Sequence, residues 1–297
     1  MKSILASLSN DIALLVSSVL PSTVTISGTA LALGSGSSGS GWIFDQCGHI
    51  VTNAHVVKDL VNPLKIKPAG KQQVEGQVIG VDQRTDLAVI KCDSVTSLPP
   101  IRVRTSSPRL GEICVAVGSP LNLNESASLG IVSGLSRQST HPDGHRIEEM
   151  IQTDASVNPG NSGGPLVDAE GLLIGVNTLG IGETVNFAVS SETVMRIVPE
   201  LIQFGSIQRA TIGISISSTW LSAGQGGKEA IQVRSVSEPS SPLMPGDYLV
   251  SIDSKPITRR IDIQNSLDRS AVGRELKVVV LRDNRTITLA LTPHISE

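Results

Sequence analysis

The stretch Gly160-Asn161-Ser162-Gly163-Gly164-Pro165 decides how this chain is interpreted. It places a serine in a glycine-rich turn, where no bulky neighbour in sequence covers the hydroxyl. A serine that attacks a carbonyl carbon needs this exposure, together with backbone N–H groups that point toward the oxyanion that forms. The turn therefore makes Ser162 a candidate nucleophile, with the N–H groups of Gly160 and Ser162 as the candidate oxyanion donors.

Two segments upstream supply the other groups that such a serine needs. Thr52-Asn53-Ala54-His55-Val56-Val57 contains a histidine, and Thr85-Asp86-Leu87-Ala88-Val89-Ile90 contains an aspartate. The order His, Asp, Ser along the chain is that of the chymotrypsin-type triad and differs from the subtilisin and α/β-hydrolase orders. We expect His55 to accept the proton of Ser162, and Asp86 to hold the imidazole in the required tautomer.

Each of these assignments has an alternative. His49 is a second candidate base, but it lies in a hairpin turn outside the Ala-His-Val context. Asp82 is a second candidate carboxylate; we favour Asp86 because the apolar run after it predicts a strand start near the core. Ser162 itself has the alternative of an inert loop serine.

Composition limits the class of protein. The 297 residues are 39% hydrophobic but only 2% aromatic, so the core must consist of aliphatic side chains, and β-branched residues favour sheet. The net charge of -3 gives no reason to expect a nucleic-acid partner. Cys47, Cys92 and Cys114 are scattered and suit neither a disulfide framework nor a zinc site, so we expect neither metal nor cofactor.

The first two thirds of the chain are rich in short strands separated by Gly and Pro turns. This pattern predicts an antiparallel barrel or sandwich, followed by a helix over 191–204 that ends at Gly205. A glycine-serine run at 34–41 would alone be typical of a linker, but it leads directly into a predicted hairpin at 42–52. The remaining strands are predicted at 23–26, 76–81, 87–91, 113–117, 130–135, 150–152, 172–177 and 185–189.

The chain from about Ser206 onward has a different pattern. Strands are predicted at 211–216, 231–236 and 248–253, a helix at 257–271, and a hairpin at 275–291. This order indicates a compact αβ module. At the other end, a short helix is predicted at about 9–20, and we expect no clear signal peptide and no transmembrane helix because Asn10-Asp11 interrupts the apolar run.

The two halves together resemble the HtrA/Deg family of serine proteases. The resemblance is most specific at residues 39–43 (GSGWI), 51–57 (VTNAHVV), 86–91 (DLAVIK), 130–133 (GIVS), 152–155 (QTDA), 158–166 (NPGNSGGPL) and 245–247 (PGD). It implies a chymotrypsin-like double antiparallel β-barrel at 1–205 and a small α+β PDZ domain at 206–297. It also implies His55, Asp86 and Ser162 as base, orienting acid and nucleophile, with no cofactor.

The resemblance carries expectations about partners as well. It implies an ATP-independent endopeptidase acting on unfolded or damaged proteins, and a homotrimer. The PDZ loop Thr211-Ile212-Gly213-Ile214 is expected to hold the C-terminus of a peptide that adds as a strand. That half lacks the usual loop aromatic, and a small helix is expected to be lost between Val236 and Pro245.

Details of the turn and its pocket lead to further expectations. Ser156 stands where trypsin has its pocket acid, so a small or medium aliphatic residue should precede the scissile bond. The pocket walls are expected from Val157, 177–179 and 186–188. The flexible pair Gly163-Gly164 and the peptide Pro159-Gly160 are expected to be the places where the oxyanion site opens or collapses. A non-catalytic chaperone or peptide-binding protein is the alternative function, and an esterase a third.

Overall fold

Two closed β-barrels with the same strand order form the first part of the chain. The computed structural model describes residues 3–30, 38–119, 125–140, 146–158, 160–181, 185–220 and 229–295. These residues divide into two compact units, Met1–Ile207 and Gln208–Glu297. Both barrels belong to the first unit, which extends beyond the predicted boundary at Gly205 because Ile207 still packs against its core.

Helix α1 (Ile4–Val19) is longer than the helix predicted at 9–20. Ser3 caps it by accepting a hydrogen bond from the backbone N–H of Ala6. With the following 3-10 turn it forms a helix of 19 residues, Ile4–Ser22, whose mean hydropathy of 1.6 and length would allow it to cross a membrane. A signal sequence and the core helix of a globular protein share these two properties, so the expectation of no transmembrane helix stays a prediction.

The first barrel closes when its fourth strand pairs with its first. Its strand order is β1-β2-β3-β6-β5-β4. Alternation along β4 buries Leu64 and Ile66 and exposes Lys65 and Lys67, so one face of the strand joins the barrel core. The strands are β1 (Thr23–Ala30), β2 (Ser38–Ile43), β3 (His49–Thr52), β4 (Leu60–Pro68), β5 (Val74–Asp82) and β6 (Leu87–Lys91), and α2 (Ala54–Val57) follows β3.

The second barrel repeats this arrangement. Its order is β7-β8-β9-β12-β11-β10, and β10 pairs with β7 to close it. The strands are β7 (Ile113–Gly118), β8 (Ser126–Thr140), β9 (Arg146–Thr153), β10 (Pro165–Asp168), β11 (Leu173–Ile181) and β12 (Val185–Ser190). Of the predicted alternatives the barrel is confirmed, and the fold is the chymotrypsin-like double barrel.

Helix α3 (Ser191–Phe204) packs into the core that the two barrels share. Ser190 caps its first turn, and Gly205 ends it in the left-handed conformation, with φ of 74°, that glycine adopts without strain. Ile197 and Leu201 are fully buried against side chains of both barrels, including Trp42 of β2. The predicted helix is confirmed, and it fixes one barrel against the other.

The second unit is a sheet with one helix. The sheet order is β14-β15-β16-β18-β19, with β17 paired to β16 and a separate β13–β20 pair. The helix predicted at 257–271 was too long: Leu267 leaves helical geometry, and the side chain of Asp268 caps a separate 3-10 turn. The elements are β13 (Ala210–Thr211), β14 (Ile214–Trp220), β15 (Glu229–Val236), β16 (Tyr248–Ile252), β17 (Lys255–Pro256), α4 (Arg260–Ser266), β18 (Leu276–Arg282), β19 (Arg285–Leu291) and β20 (His294–Ile295).

The segment between Val236 and Pro245 contains turns and bends and no helix, so the predicted loss of a helix there is confirmed.

Candidate active site

His55 lies in the single turn of α2, directly after the strand that delivers it. Strand β3 ends at Thr52, and Asn53 adopts extended geometry as the N-cap of α2. The ring of His55 is 28% exposed, so one edge of it reaches solvent at the surface between the barrels. The backbone N–H of the same residue donates to Asp86 Oδ1 at 3.0 Å, which ties this turn to the aspartate.

Asp86 occupies a tight turn before β6. Its φ of 55° lies in the left-handed region, where aspartate is one of the few tolerated side chains. The Asp86 carbonyl accepts hydrogen bonds from the Ala54 N–H at 3.1 Å and from Asn53 Nδ2 at 2.9 Å. These bonds hold the strained residue where its side chain faces His55.

The carboxylate of Asp86 is buried and fully supplied with donors. It is 3% exposed, and His55 Nδ1 lies 2.8 Å from Oδ2. A carboxylate only accepts hydrogen bonds, so Nδ1 must carry the ring proton. The neutral imidazole then presents an unprotonated Nε2, which is the atom that a general base uses.

Thr178 supplies the remaining bond to this carboxylate, and sequence reasoning missed that role. Its hydroxyl donates to Asp86 Oδ2 at 2.5 Å, and the residue is 3% exposed. The sequence suggested Thr178 only as part of a pocket wall. A threonine inside a strand carries no signal of its own, because its partner lies 92 positions away in the chain.

The glycines beside Ser162 are required by close packing. A Cβ on Gly163, whose φ is 85°, would lie 2.1 Å from the carbonyl oxygen of Ser40, and one on Gly164 would lie 2.2 Å from that of Val117. The Gly163 N–H donates to the Asn177 carbonyl and the Gly164 N–H to the Asn161 carbonyl. Both residues are thus hydrogen-bonded and tightly enclosed in this structure, and the opening expected at this pair stays a prediction.

The turn contains the two backbone N–H groups that the sequence predicts as oxyanion donors. Among the described residues, none accepts a hydrogen bond from the N–H of Gly160 or of Ser162. Gly160 has a φ of 103°, which a side chain would strain. The two N–H groups thus remain available to an oxygen from outside.

The alternative residues are occupied elsewhere. His49 Nδ1 pairs with Asp45 at 2.7 Å within the β2–β3 hairpin. Asp82 accepts the hydroxyl of Thr85 at 2.5 Å inside its own turn. The structure therefore brings together His55 and Asp86, and it places neither alternative in that pair.

The predicted pocket walls lie on the second barrel. Asn186 is 3% exposed and donates to the Ala155 carbonyl at 3.0 Å, which connects β12 to the segment before the turn. Phe187 is 6% exposed, whereas Ser156 faces solvent. The Leu179 side chain lies outside the described residues.

In the second unit, the predicted peptide-binding loop is partly closed by its own hydrogen bonds. The Gly213 N–H donates to Thr211 Oγ1 at 3.1 Å, and the Gly213 carbonyl accepts from the N–H and hydroxyl of Ser237. Ile212 is 4% exposed and belongs to the core, while Ile214 begins β14. One of the N–H groups expected to hold a carboxylate is thus already paired.

Comparison with known proteins assigns this chain to a family. The Trypsin-like peptidase domain family matches residues 39–176. Serine endoprotease DegS of Escherichia coli is 35% identical over 272 residues, which cover 86% of this chain and 76% of that protein. This chain belongs to the HtrA/Deg family of serine proteases.

Other HtrA/Deg proteins agree in sequence and in fold. Protease Do-like 1, chloroplastic, of Arabidopsis thaliana is 35% identical over 278 residues, covering 86% of this chain. This chain spans only 63% of the length of that relative. The solved structure of the HtrA-type protease AlgW with a tripeptide superposes with a TM-score of 0.79 at 28% identity, covering 96% of this chain and 97% of that one.

Proposed function

We propose that this protein is an ATP-independent serine endopeptidase that hydrolyses peptide bonds of unfolded or damaged proteins. The observation that carries the proposal is the pairing of His55 Nδ1 with the buried Asp86 carboxylate at 2.8 Å, while Thr178 bonds both to that carboxylate and to the hydroxyl of Ser162. A buried carboxylate, an oriented imidazole and a serine hydroxyl are the groups that nucleophilic acyl transfer requires.

The chemistry follows from these atoms. Ser162 Oγ attacks the scissile carbonyl carbon while its proton passes to His55 Nε2, and the resulting imidazolium is stabilised by Asp86. The negative charge on the former carbonyl oxygen is met by the N–H groups of Gly160 and Ser162. His55 then protonates the leaving amine, and water hydrolyses the acyl-enzyme by the same steps in reverse order.

The walls of the site favour an uncharged residue before the scissile bond. Asp154 faces solvent, and its Oδ1 already accepts from the Ile131 N–H at 2.7 Å. No carboxylate among the described wall residues is thus placed to bind Arg or Lys. A small or medium aliphatic side chain fits this setting.

The test is casein hydrolysis by the wild type and by Ser162→Ala. We expect the wild type to cleave casein without ATP and the variant to lose the activity with little change in its unfolding midpoint, because one half-buried hydroxyl hydrogen bond contributes only about 0.5–1.5 kcal/mol. Equal suppression of aggregation by both proteins without any cleavage would favour the non-catalytic chaperone. Cleavage of a nitrophenyl ester but no peptide would favour the esterase.

We assign the second unit to peptide binding as a PDZ domain. Among the described strands, β14 lies at one edge of the sheet, where a peptide can add as a further strand. Arg260 Nη2 donates to the carbonyl of Ile216 on this edge at 3.0 Å, so a peptide must displace that bond. Calorimetric titration with peptides that end in a free apolar residue, against the same peptides amidated, tests the assignment.

The homotrimer stays a prediction from family resemblance, which light scattering on the purified protein would test.

A further inference from the structure

Ser40 of β2 contacts the nucleophile turn from the opposite barrel. The residue is fully buried. Its backbone N–H donates to the Ser162 carbonyl at 2.8 Å, and its hydroxyl donates to the Gly160 carbonyl at 2.6 Å. One residue of the first barrel therefore bonds on both sides of Asn161, through its side chain to Gly160 and through its backbone to Ser162.

The Gly160–Asn161 peptide group is held at both of its polar ends. Its carbonyl accepts from the Ser40 hydroxyl, and its N–H donates to the Asn158 carbonyl at 2.9 Å. Gly160 lacks a side chain and has a φ of 103°, so its own steric preferences do not fix this orientation. The two hydrogen bonds fix this orientation instead. Through this planar peptide group they also fix the direction of the N–H groups of Gly160 and Ser162, its neighbours in the chain.

The same hydroxyl also accepts a hydrogen bond. The Ser119 N–H, just after β7, donates to Ser40 Oγ at 2.8 Å. Since the hydroxyl has one proton, this incoming bond forces that proton toward Gly160. Thr52 Oγ1 completes the arrangement by donating to the Ser40 carbonyl at 2.7 Å, so every polar group of Ser40 has a partner.

We infer that the Ser40 hydroxyl is a positioning group for the oxyanion site: it orients the Gly160–Asn161 peptide so that the N–H groups of Gly160 and Ser162 face the developing charge. This inference rests on the proposed protease activity. The serine is hidden in the sequence by the glycine-serine run that contains it, which composition alone would assign to a linker.

The experiment compares Ser40→Ala with Ser191→Ala. Ser191 is the matched control because it is 4% exposed and its hydroxyl also donates to a backbone carbonyl, that of Arg104, at 3.1 Å. The rate on a peptide substrate is divided by the concentration of active sites, which is measured by titration with a phosphonate reagent. A loss of folded protein therefore does not lower the resulting kcat. We expect kcat per titrated site to fall about 10- to 100-fold in Ser40→Ala with KM unchanged, because misplacement by ~1 Å costs this much.

A second measurement separates positioning from stability. A peptide boronate binds as a tetrahedral adduct and needs the oxyanion donors, whereas the cleaved product peptide does not. In Ser40→Ala the affinity for the boronate should fall by the same factor as kcat, and the affinity for the product should stay the same. Ser191→Ala should change neither affinity.

Two results would contradict the argument, and a second variant covers a failure to fold. An unchanged kcat per site in Ser40→Ala, with only a lower unfolding midpoint, would overturn the inference and leave Ser40 a structural residue. If Ser40→Ala does not fold, Ser40→Cys provides the same comparison, since a thiol is a weak donor. A wild type without proteolysis, or an active Ser162→Ala, would instead contradict the proposed function itself.

Discussion

The hydroxyl of Ser162 donates its hydrogen bond to the backbone carbonyl of Thr178 at 2.8 Å. A serine hydroxyl has one proton, and in this arrangement it points to the carbonyl of Thr178. In the proposed mechanism the same proton must pass to the imidazole of His55, so we expect the Ser162 hydroxyl to rotate before it attacks a substrate. Thr178 thus contacts the triad twice, through its carbonyl to the nucleophile and through its hydroxyl to Asp86.

Replacement of Thr178 by valine tests the second of these contacts. The variant keeps the shape and the backbone carbonyl but removes the hydroxyl that donates to the buried carboxylate. A hydrogen bond to a charged group contributes about 1.5–3 kcal/mol, so we expect kcat/KM to fall about 10- to 100-fold. Thr178→Ser retains a donor and should keep most of the activity; equal loss in both variants would show that the methyl group, and not the hydroxyl, matters.

The choice between the two aspartates is tested by Asp86→Asn and Asp82→Asn. The first change lets the side chain donate to His55 and favours the wrong tautomer, and in a chymotrypsin-type triad it lowers kcat about 10,000-fold. The second changes the carboxylate that accepts the hydroxyl of Thr85 within its own turn. Steady-state kinetics at neutral pH should show the large loss for Asp86→Asn alone. A larger loss for Asp82→Asn would reverse our assignment.

The sequence predicted those parts of the site whose residues stand in a distinctive local sequence segment. His55, Asp86 and Ser162 each stand in a distinctive local segment, and helix α3 shows both its apolar spacing and its terminal glycine. The contributions of Ser40 and Thr178 could not be predicted in this way. Each contacts a group about a hundred positions away in the chain, and only the packing of the two barrels against each other brings the partners together.

The change in the free energy of unfolding at acidic pH should depend on Glu112. Arg104 and then Arg109 hold the pKa of this carboxyl at about 2, below its ordinary 4.5. A depressed folded-state pKa adds stability above the unfolded pKa, and the contribution is lost as the pH falls from about 4.5 to about 2. Urea midpoints of Glu112→Gln should therefore lie below the wild type near pH 7, and the difference should shrink near pH 2. A constant difference at all pH values would contradict this.

Thiol chemistry should distinguish the three cysteines. Cys47 is exposed, whereas Cys92 and Cys114 are buried. Burial raises the pKa of Cys92, and it raises that of Cys114 to about 11, so thiolate is scarce at both. Iodoacetamide should label the folded protein once, at Cys47, and Cys47→Ser should abolish the labelling. Mass spectrometry of the native protein would show the result; two or three rapid additions would contradict the burial.

A protein that ends at Ile207 should retain peptide hydrolysis. All residues of the proposed triad and oxyanion site lie in the first unit, and Ile207 packs against its core. We expect the shortened protein to cleave an unstructured peptide but to lose stimulation by apolar C-terminal peptides. Coupling between domains typically changes affinity about 5- to 150-fold, which sets the range of stimulation to measure. Inactivity on short peptides would mean that the second unit completes the site.

The proposed site is divided between two barrels, so the rate of hydrolysis should depend on how closely the barrels keep their positions relative to each other. His55 and Asp86 come from the first barrel, and Ser162 and Thr178 from the second. Each barrel closes its own ring of hydrogen bonds, so the far-ultraviolet signal of its strands survives a small displacement of one barrel relative to the other. The reacting atoms tolerate no such slip, since an offset of ~1 Å already costs about a hundredfold in rate. On heating, we therefore expect peptide hydrolysis to be lost at a lower temperature than the far-ultraviolet circular dichroism signal.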